Sequence, residues 1–286
     1  MATRAMESVL AFVKTETEFS AITKHKEHDV TRRFDLVAEQ TLQEELLARE
    51  ISARIVSEEW GDRTIGEDPQ CTFIFDPVDG STNVAIGFPY FCSSLAYAPK
   101  TDDVTLSDIT MGAVVTNSLD AYAAKRGDGA RFNATPLVTK KSPRPRKPVV
   151  AGYAYGVARI PRGLIELEKR CIVRIFGSIA YDLCQVASGT LDAVVDTRDR
   201  LSSYDIAAAQ LIVRESHGFV TAGDGSPLDA PVTATNLSLV CSIDPTLHDT
   251  IVETLRQFSK DGLLAPGEEQ PFSLLQKLGP GGEKQI

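Results

Sequence analysis

The chain has 286 residues, 43% of them hydrophobic and 24% charged, which suits a water-soluble protein of one large domain or two fused subdomains. Its net charge of −9 argues against a general nucleic-acid surface, and no apolar run is long enough to span a membrane. The five cysteines show no paired spacing and no signal peptide is evident, so we expect reduced thiols in a cytoplasmic protein.

Two helices are predicted in the first 55 residues. Apolar residues at helical spacing predict a first helix near 3–19 and a long second helix that ends near Arg54. The polar segment 24–29 between them is predicted to be an exposed loop, with a histidine-rich zinc site as the less favoured alternative. On the second helix Asp35 and Glu39 lie one turn apart, so their carboxylates project together, although an ordinary polar helix face would give the same pattern.

A short apolar strand followed by a cluster of polar residues is the most informative stretch of the first half. β-branched and aromatic residues predict a strand from Cys71 to Phe75, and we expect Pro77, which lacks an N–H, to end it at Asp76. Gly80 permits a tight turn, and each of the polar residues 81–83 can cap a helix that starts there. Carboxylates at a strand end that face free N–H groups can bind cations and an anion together, but a common surface turn would use the same residues.

The remaining elements predict a layered α/β fold. Strands are predicted at 90–98, 111–116, 121–126, 149–153, 172–176, 191–196, 219–221 and 238–241, and helices at 178–188, 204–216 and from Asp244 onward.

The segment 140–148 is the clearest composition break in the chain. Its prolines block regular structure and its five basic residues repel one another, so it predicts a junction between subdomains 1–140 and 149–264. A short nucleic-acid-binding arm is the alternative, which the acidic character of the protein disfavours. The segment 265–286 is rich in glycine and proline and is predicted to be a loose tail.

Several separated segments together resemble the inositol monophosphatase family of magnesium-dependent, lithium-sensitive phosphatases. They are Ser57-Glu58-Glu59, the run Asp76-Pro77-Val78-Asp79-Gly80-Ser81-Thr82-Asn83, the hairpin at Gly127–Ala130, the run from Arg174 to Cys184, and Ser203–Ala209. The resemblance covers about residues 31–236 and favours the archaeal-type branch, whose members dephosphorylate both inositol monophosphate and fructose 1,6-bisphosphate. It implies a five-layer αβαβα sandwich of the sugar-phosphatase type.

The resemblance also implies a catalytic site with two Mg²⁺ ions bridged by Asp76. The other ligands would be Glu58 and the Val78 carbonyl on the first ion, and Asp79 and Asp205 on the second. A third, weaker ion near Asp35 is left open, because Thr41 stands where many relatives have an acidic residue.

Substrate contacts follow from the same resemblance. Glu58 and the Ser81 hydroxyl would orient the attacking water, and the amides of Gly80, Ser81 and Thr82 would hold phosphate oxygens. Asp79, Gly177, Ser178 and the Ile179 amide would meet substrate hydroxyls, although Ser178 also reads as a plain helix cap. A second phosphate would need a cation, for which the candidates are Arg174, Arg198 and Arg200, unless they pair with Asp182, Asp196 or Asp199. Lys24 and Lys26 are weaker candidates.

We therefore expect a magnesium-dependent phosphomonoesterase that acts on a small sugar or cyclitol phosphate, both inositol 1-phosphate and fructose 1,6-bisphosphate, and forms at least a homodimer. One alternative is a phosphatase of adenosine 3′,5′-bisphosphate, which would use the same metal residues. The other is a non-catalytic metabolite-binding relative, although none of the four metal carboxylates is missing.

Overall fold

The computed structural model describes residues 1–25, 30–139, 147–154 and 161–259. Its helices are α1 (Ala2–Thr15), α2 (Arg33–Ala48), α3 (Ser81–Ile86), α4 (Arg162–Glu168), α5 (Ile179–Ala187), α6 (Ser203–Glu215) and α7 (Pro245–Ser259). Its strands are β1 (Ile22–His25), β2 (Val30–Arg32), β3 (Ala53–Ser57), β4 (Gly61–Ile65), β5 (Thr72–Asp79), β6 (Cys92–Ala98), β7 (Met111–Thr116), β8 (Ala121–Lys125), β9 (Gly129–Phe132), β10 (Thr135–Pro136), β11 (Val149–Tyr153), β12 (Ile172–Arg174), β13 (Ala193–Leu201), β14 (Phe219–Thr221) and β15 (Leu237–Ser242).

Three helical layers alternate with two sheets. The larger sheet has eight strands in the order β10-β9-β8-β7-β6-β5-β3-β4, and the smaller has five in the order β12-β11-β13-β15-β14. Helices α1 and α2 cover the outer face of the larger sheet, α5 and α6 lie between the sheets, and α4 and α7 cover the smaller sheet. The predicted αβαβα sandwich is confirmed. Among the described residues, no helix is long and apolar enough to cross a membrane.

The central strands are apolar on both faces because each face meets a helical layer. In β5, Phe73 and Phe75 pack with α1 and α2, whereas Ile74 packs with α5 and α6. In β13, Val194 and Val195 divide in the same way between the middle and outer helices. Burying one such side chain stabilises the fold by about 1.5–3 kcal/mol, so the continuous apolar runs are a direct result of burial on two sides.

Helix α6 lies close against β7 at Gly112. A Cβ added to Gly112 would lie 2.8 Å from the carbonyl oxygen of Ala208 and 2.9 Å from its Cα. Because both contacts are backbone, Gly112→Ala must push the helix off the sheet. We expect a loss of about 1–3 kcal/mol in the free energy of unfolding, measured by urea denaturation. A variant as stable as the wild type would show that these layers can separate at no cost.

The prediction that α2 extends to Arg54 is wrong, because the helix ends at Ala48. The Ile51 amide donates to the Leu46 carbonyl at 3.0 Å, and Glu50 adopts a left-handed φ of 55°. A left-handed residue that follows the last turn is a common helix stop, but it is usually glycine. Arg54 instead belongs to β3 and pairs with both β4 and β5.

The prediction that Pro77 ends the central strand is also wrong, because β5 continues to Asp79. Its pairing with β6 is regular as far as Asp76 opposite Ser94, then shifts and resumes at Asp79 opposite Cys92. Pro77 lies in the irregular step, where the ladder needs no N–H.

Two other segments contain strand residues that were not predicted. Lys24 is exposed on β1, which pairs with β2, and Lys26 lies outside the described residues. The segment 196–200 forms the second half of β13. Residues 140–146 of the predicted junction 140–148 and the predicted tail at 265–286 also lie outside the described residues. Short elements such as α4, β4 and β10 were not predicted.

Candidate active site

The end of β5 and the start of α3 form a tight turn at Gly80. Gly80 occupies the N-cap position of α3 with a φ of 98°, so the cap carries no side chain. A Cβ at Gly80 would lie 3.1 Å from the Tyr90 carbonyl oxygen and 3.3 Å from that of Gly177. Ser81 and Thr82 follow as the first helical residues, with Thr82 exposed. Glycine is therefore required here both by the backbone angle and by the close approach of a second turn.

Asp76 is the most deeply buried of the four predicted carboxylate ligands, with 2% of its surface exposed. No hydrogen-bond donor among the described residues reaches its Oδ1 atom. Burial raises the pKa of Asp76 well above its usual value, and the nearby carboxylates raise it further. These carboxylates belong to Glu58, Asp79, Asp205 and Asp35. Five acidic groups thus share one region that contains a buried oxygen without a proton donor.

Asp79 joins the central turn to the start of α5. Its carboxylate accepts hydrogen bonds from the Ser178 hydroxyl at 2.8 Å, the Ile179 amide at 3.1 Å and the Ala180 amide at 2.7 Å. Burial raises the pKa of Asp79 to about 6, although these hydrogen bonds oppose the rise. The predicted metal ligand and the predicted substrate turn are therefore in direct contact.

Glu58 and Asp205 approach from two other elements. Glu58 directly follows β3 and is half-buried, and its amide donates to the Phe75 carbonyl at 3.2 Å. Asp205 lies in the first turn of α6, where its carboxylate accepts the Ser202 amide at 2.7 Å. Val78, whose carbonyl was predicted as a ligand, is buried in β5. The fold therefore gathers the ligand set from β3, β5 and α6.

The donor set suits a hard divalent cation in both chemistry and charge. Such ions prefer carboxylate and carbonyl oxygens, and a bound cation would relieve the mutual repulsion around Asp76. Within the described ranges, however, no three His, Cys, Asp or Glu side chains are already arranged around one ion position. Asp79 and Asp205 instead accept hydrogen bonds from backbone amides at the starts of α5 and α6.

Asp35 and Glu39, predicted at the edge of the metal site, are both buried on α2. The Arg32 amide donates to Asp35 at 2.8 Å, and the Glu59 amide donates to Glu39 at 3.3 Å. Burial raises the pKa of Glu39 to about 7. The Thr31 hydroxyl donates to the Glu59 carboxylate, so the acidic cluster extends beyond the residues that were predicted.

The predicted arginines are placed differently from one another. Arg198 pairs with Asp196 at 2.6 Å and lies over the ring of Tyr153, with 7% of its side chain exposed. Arg174 and Arg200 are exposed. The sequence left open whether Arg198 contacts a second phosphate or pairs with an aspartate. The structure shows the ion pair with Asp196.

Asp182 and Asn83 were not recognised as site residues. Asp182, fully buried on α5, accepts hydrogen bonds from the hydroxyls of Tyr90 and Tyr153, both at 2.6 Å. Burial raises its pKa to about 7, against the effect of both hydrogen bonds. Asn83 was expected only as a possible helix cap, but its side-chain amide donates to the nearby Tyr90 carbonyl and to the distant Phe176 carbonyl. The only sign in the sequence that Asn83 belongs to the site is its position two residues after Ser81, a predicted site residue.

A sequence profile of the inositol monophosphatase family matches residues 1–260. The chain belongs to this family. The fructose-1,6-bisphosphatase/inositol-1-monophosphatase of Methanothermobacter thermautotrophicus is 32% identical over 264 residues, which cover 89% of this chain and 94% of that protein. The structure of the extragenic suppressor protein suhB from Bartonella henselae has a TM-score of 0.74 at 26% identity, over 90% of this chain and 95% of that one.

A third relative has a longer chain. The bifunctional NADP phosphatase/NAD kinase of Methanococcus maripaludis is 28% identical over 239 residues, which cover 78% of this chain and 42% of that protein. Inositol monophosphatase family members are phosphatases of phosphorylated small molecules and are metal-dependent, and this chain is a phosphatase of that kind.

Proposed function

We propose that this phosphatase is a magnesium-dependent phosphomonoesterase that hydrolyses inositol 1-phosphate and fructose 1,6-bisphosphate. The observation that carries the proposal is Asp76, a buried carboxylate with one oxygen that no donor among the described residues reaches, set among four other acidic side chains beside the Gly80 turn. The archaeal relative whose name includes both activities supports the two substrates.

In this proposal Glu58, Asp76, the Val78 carbonyl, Asp79 and Asp205 hold two Mg²⁺ ions, with a third ion near Asp35 left open. Bound magnesium supplies charge neutralisation and a water of lowered pKa. Glu58 and the Ser81 hydroxyl orient the attacking water, and the amides of residues 80–82 hold phosphate oxygens. Asp79, Gly177, Ser178 and the Ile179 amide meet substrate hydroxyls.

Ser81→Ala tests the role of the hydroxyl. Gly80 is the N-cap of α3, so we expect a stability change within about 0.5 kcal/mol. The loss of water orientation should lower kcat about 10–100-fold, the usual cost of removing a group that supports a metal site. Ser107→Ala, at an exposed position of the 3-10 helix Leu106–Asp108, should change neither activity nor substrate preference. Normal kcat in Ser81→Ala would remove Ser81 from the proposed mechanism.

The second phosphate of a bisphosphate needs a cation away from the metals. Arg174 and Arg200 are the exposed candidates, because Arg198 is already paired with Asp196. Replacing the responsible arginine by alanine should raise KM for fructose 1,6-bisphosphate and leave KM for inositol 1-phosphate unchanged. Arg4→Ala, on α1 in the outer helical layer, is the matched control and should affect neither KM value.

A phosphate-release panel at saturating magnesium decides the substrate. Adenosine 3′,5′-bisphosphate belongs in it as the alternative read from the sequence. NADP belongs in it because two relatives are NADP phosphatase/NAD kinases, and it is the second candidate substrate. Hydrolysis of inositol 1-phosphate but not of fructose 1,6-bisphosphate would reduce the proposed dual activity to that of a monophosphatase. Release from none of the four would overturn it in favour of a metabolite-binding relative.

Three further properties form part of the proposal. We place the enzyme in the cytoplasm, because all five cysteines are buried free thiols, as expected in a reducing compartment. We expect inhibition by lithium and assembly into at least a homodimer. We also propose the subdomain division 1–140 and 149–264, since the eight-stranded sheet ends at Pro136 and the five-stranded sheet begins at Val149.

A further inference from the structure

The side-chain amide of Asn83 connects two distant parts of the chain. Its Nδ2 atom donates to the Tyr90 carbonyl at 2.7 Å and to the Phe176 carbonyl at 2.8 Å, and only 8% of the residue is exposed. Phe176 is 93 positions away, on the far side of the predicted junction. One nitrogen therefore uses both of its hydrogens to hold α3 against the segment that leads into α5.

Asn83 lies beside the two turns assigned to the substrate. It is on α3, directly after residues 80–82, which hold phosphate in the proposed function. Phe176 directly precedes Gly177, which has a φ of 82°, and a Cβ added at Gly177 would lie 3.5 Å from Nδ2 of Asn83. The Gly177 carbonyl in turn lies 3.3 Å from the Cβ position of Gly80. The first turn thus touches the second, and Asn83 bridges them.

The carbonyls that Asn83 joins belong to residues whose rings also pack together. Tyr90 contacts Phe176 with ring centroids 5.1 Å apart and stacks on Tyr181 at 4.3 Å. This aromatic packing is non-directional compared with two short hydrogen bonds from one planar group. The aromatic rings therefore contribute buried apolar surface, whereas the Asn83 amide fixes the distance between the two segments that it joins.

We propose that Asn83 is a positioning residue, which sets the distance between the phosphate-holding turn at 80–82 and the hydroxyl-holding turn at 177–179. The inference rests on the proposed function. Asp79 also joins the two turns, but as a proposed metal ligand it cannot be changed without altering the chemistry. The side-chain hydrogen bonds of Asn83 go to the Tyr90 and Phe176 carbonyls, and neither residue is assigned to metal or substrate, so its replacement isolates the spacing.

A substrate that uses both turns should be more sensitive to this spacing than one that uses only the first. Inositol 1-phosphate would place its phosphate at residues 80–82 and its hydroxyls at 177–179. A generic aryl ester, p-nitrophenyl phosphate, has no hydroxyls for the second turn. An error of about 1 Å in positioning can cost about a hundredfold in rate, so the two esters should separate clearly.

The experiment compares Asn83→Leu with Gln210→Leu. Both replace a buried amide with an apolar side chain of similar size, and Gln210 on α6 donates to the Leu106 carbonyl at 3.2 Å, outside the two turns. We measure kcat/KM for both esters and inhibition by inorganic phosphate, all at saturating magnesium. In Asn83→Leu, kcat/KM for inositol 1-phosphate should fall at least about tenfold more than for p-nitrophenyl phosphate. Phosphate inhibition should stay within about twofold, and Gln210→Leu should keep the wild-type ratio of the two esters.

Asn83→Ala replaces the leucine variant if that variant does not fold, because alanine leaves room for water to reach both carbonyls. The same measurements are made on it, with the same expected results. Equal losses on the two esters in the folded variant would overturn the positioning role and leave Asn83 with a purely structural one. Loss of folding in both variants, with Gln210→Leu folded, would have the same meaning. Wild-type protein that cleaves neither ester would overturn the proposed function itself, which is a separate outcome.

Discussion

Asp76→Asn is expected to remove most phosphatase activity while leaving the metal-free protein at least as stable as the wild type. Loss of a group that only supports a metal site typically costs about 10–100-fold, so loss of the proposed bridging ligand should exceed about a hundredfold in kcat/KM. The free energy of unfolding of the metal-free protein should stay the same or rise, because burial and neighbouring carboxylates already disfavour the ionised Asp76. The amide keeps the shape and removes the repulsion.

Activity with and without magnesium, and urea denaturation in chelator, test this pair of outcomes. Chelator should abolish wild-type activity and added Mg²⁺ should restore it, because the carboxylates alone repel a phosphate. Asp108→Asn is the control with the opposite pattern: it weakens hydrogen bonds from Lys100 and the Thr105 amide, none of which belongs to the proposed site, so it should lower stability and keep activity. Undiminished turnover in Asp76→Asn would contradict the two-metal proposal.

Asp182→Asn is expected to become steadily more stable relative to the wild type as the pH rises from 5 to 8. Burial raises the pKa of Asp182 in the folded protein to about 7, from about 3.9 in the unfolded chain. Between these values the folded state binds more protons than the unfolded state, so this group's contribution is complete below pH 4 and is lost as the pH rises through 7. The asparagine does not titrate. Its Oδ1 atom can still accept a hydrogen bond from one of the two hydroxyls, of Tyr90 or Tyr153, and its Nδ2 atom can donate to the other.

The relative gain between pH 5 and 8 should be about 2–3 kcal/mol, measured as the difference in unfolding free energy at each pH. Asp128→Asn is the control, because the hydrogen bond from Lys125 lowers the pKa of this surface carboxyl and keeps it ionised throughout the range. Its difference from the wild type should not change with pH. A constant difference for Asp182→Asn would show that its carboxyl is already ionised at pH 5.

The elements with strong local signals were predicted correctly from the sequence. The β7, β11 and β14 bounds match the predicted ranges, and α5 and α6 begin within one residue of prediction. Helical periodicity, buried apolar runs and the fixed motif carry these features, because each depends on residues close in sequence.

The errors arose where a tertiary contact overrides a local preference. The stop of α2 at Glu50 uses a left-handed residue that is not glycine, so no sequence marker announces it. Pro77 is tolerated in β5 because the pairing with β6 slips at that point. The partners of Asp182, Arg198 and Asn83 depend on which elements the fold brings together, and periodicity gives no access to them.

When residues 1–139 have been synthesised, every strand of the eight-stranded sheet is present. The helices α5 and α6, which cover its inner face, have not yet been made. That face carries Ile74, Val114 and Tyr122, which belong to the core completed by α5 and α6. At 5–20 residues per second, synthesis reaches the end of α6 at residue 215 about 4–15 s later. During that interval the nascent chain exposes an apolar sheet, which makes it a natural client for chaperones. A fragment cut at the 140–146 segment would keep that surface uncovered permanently and should aggregate.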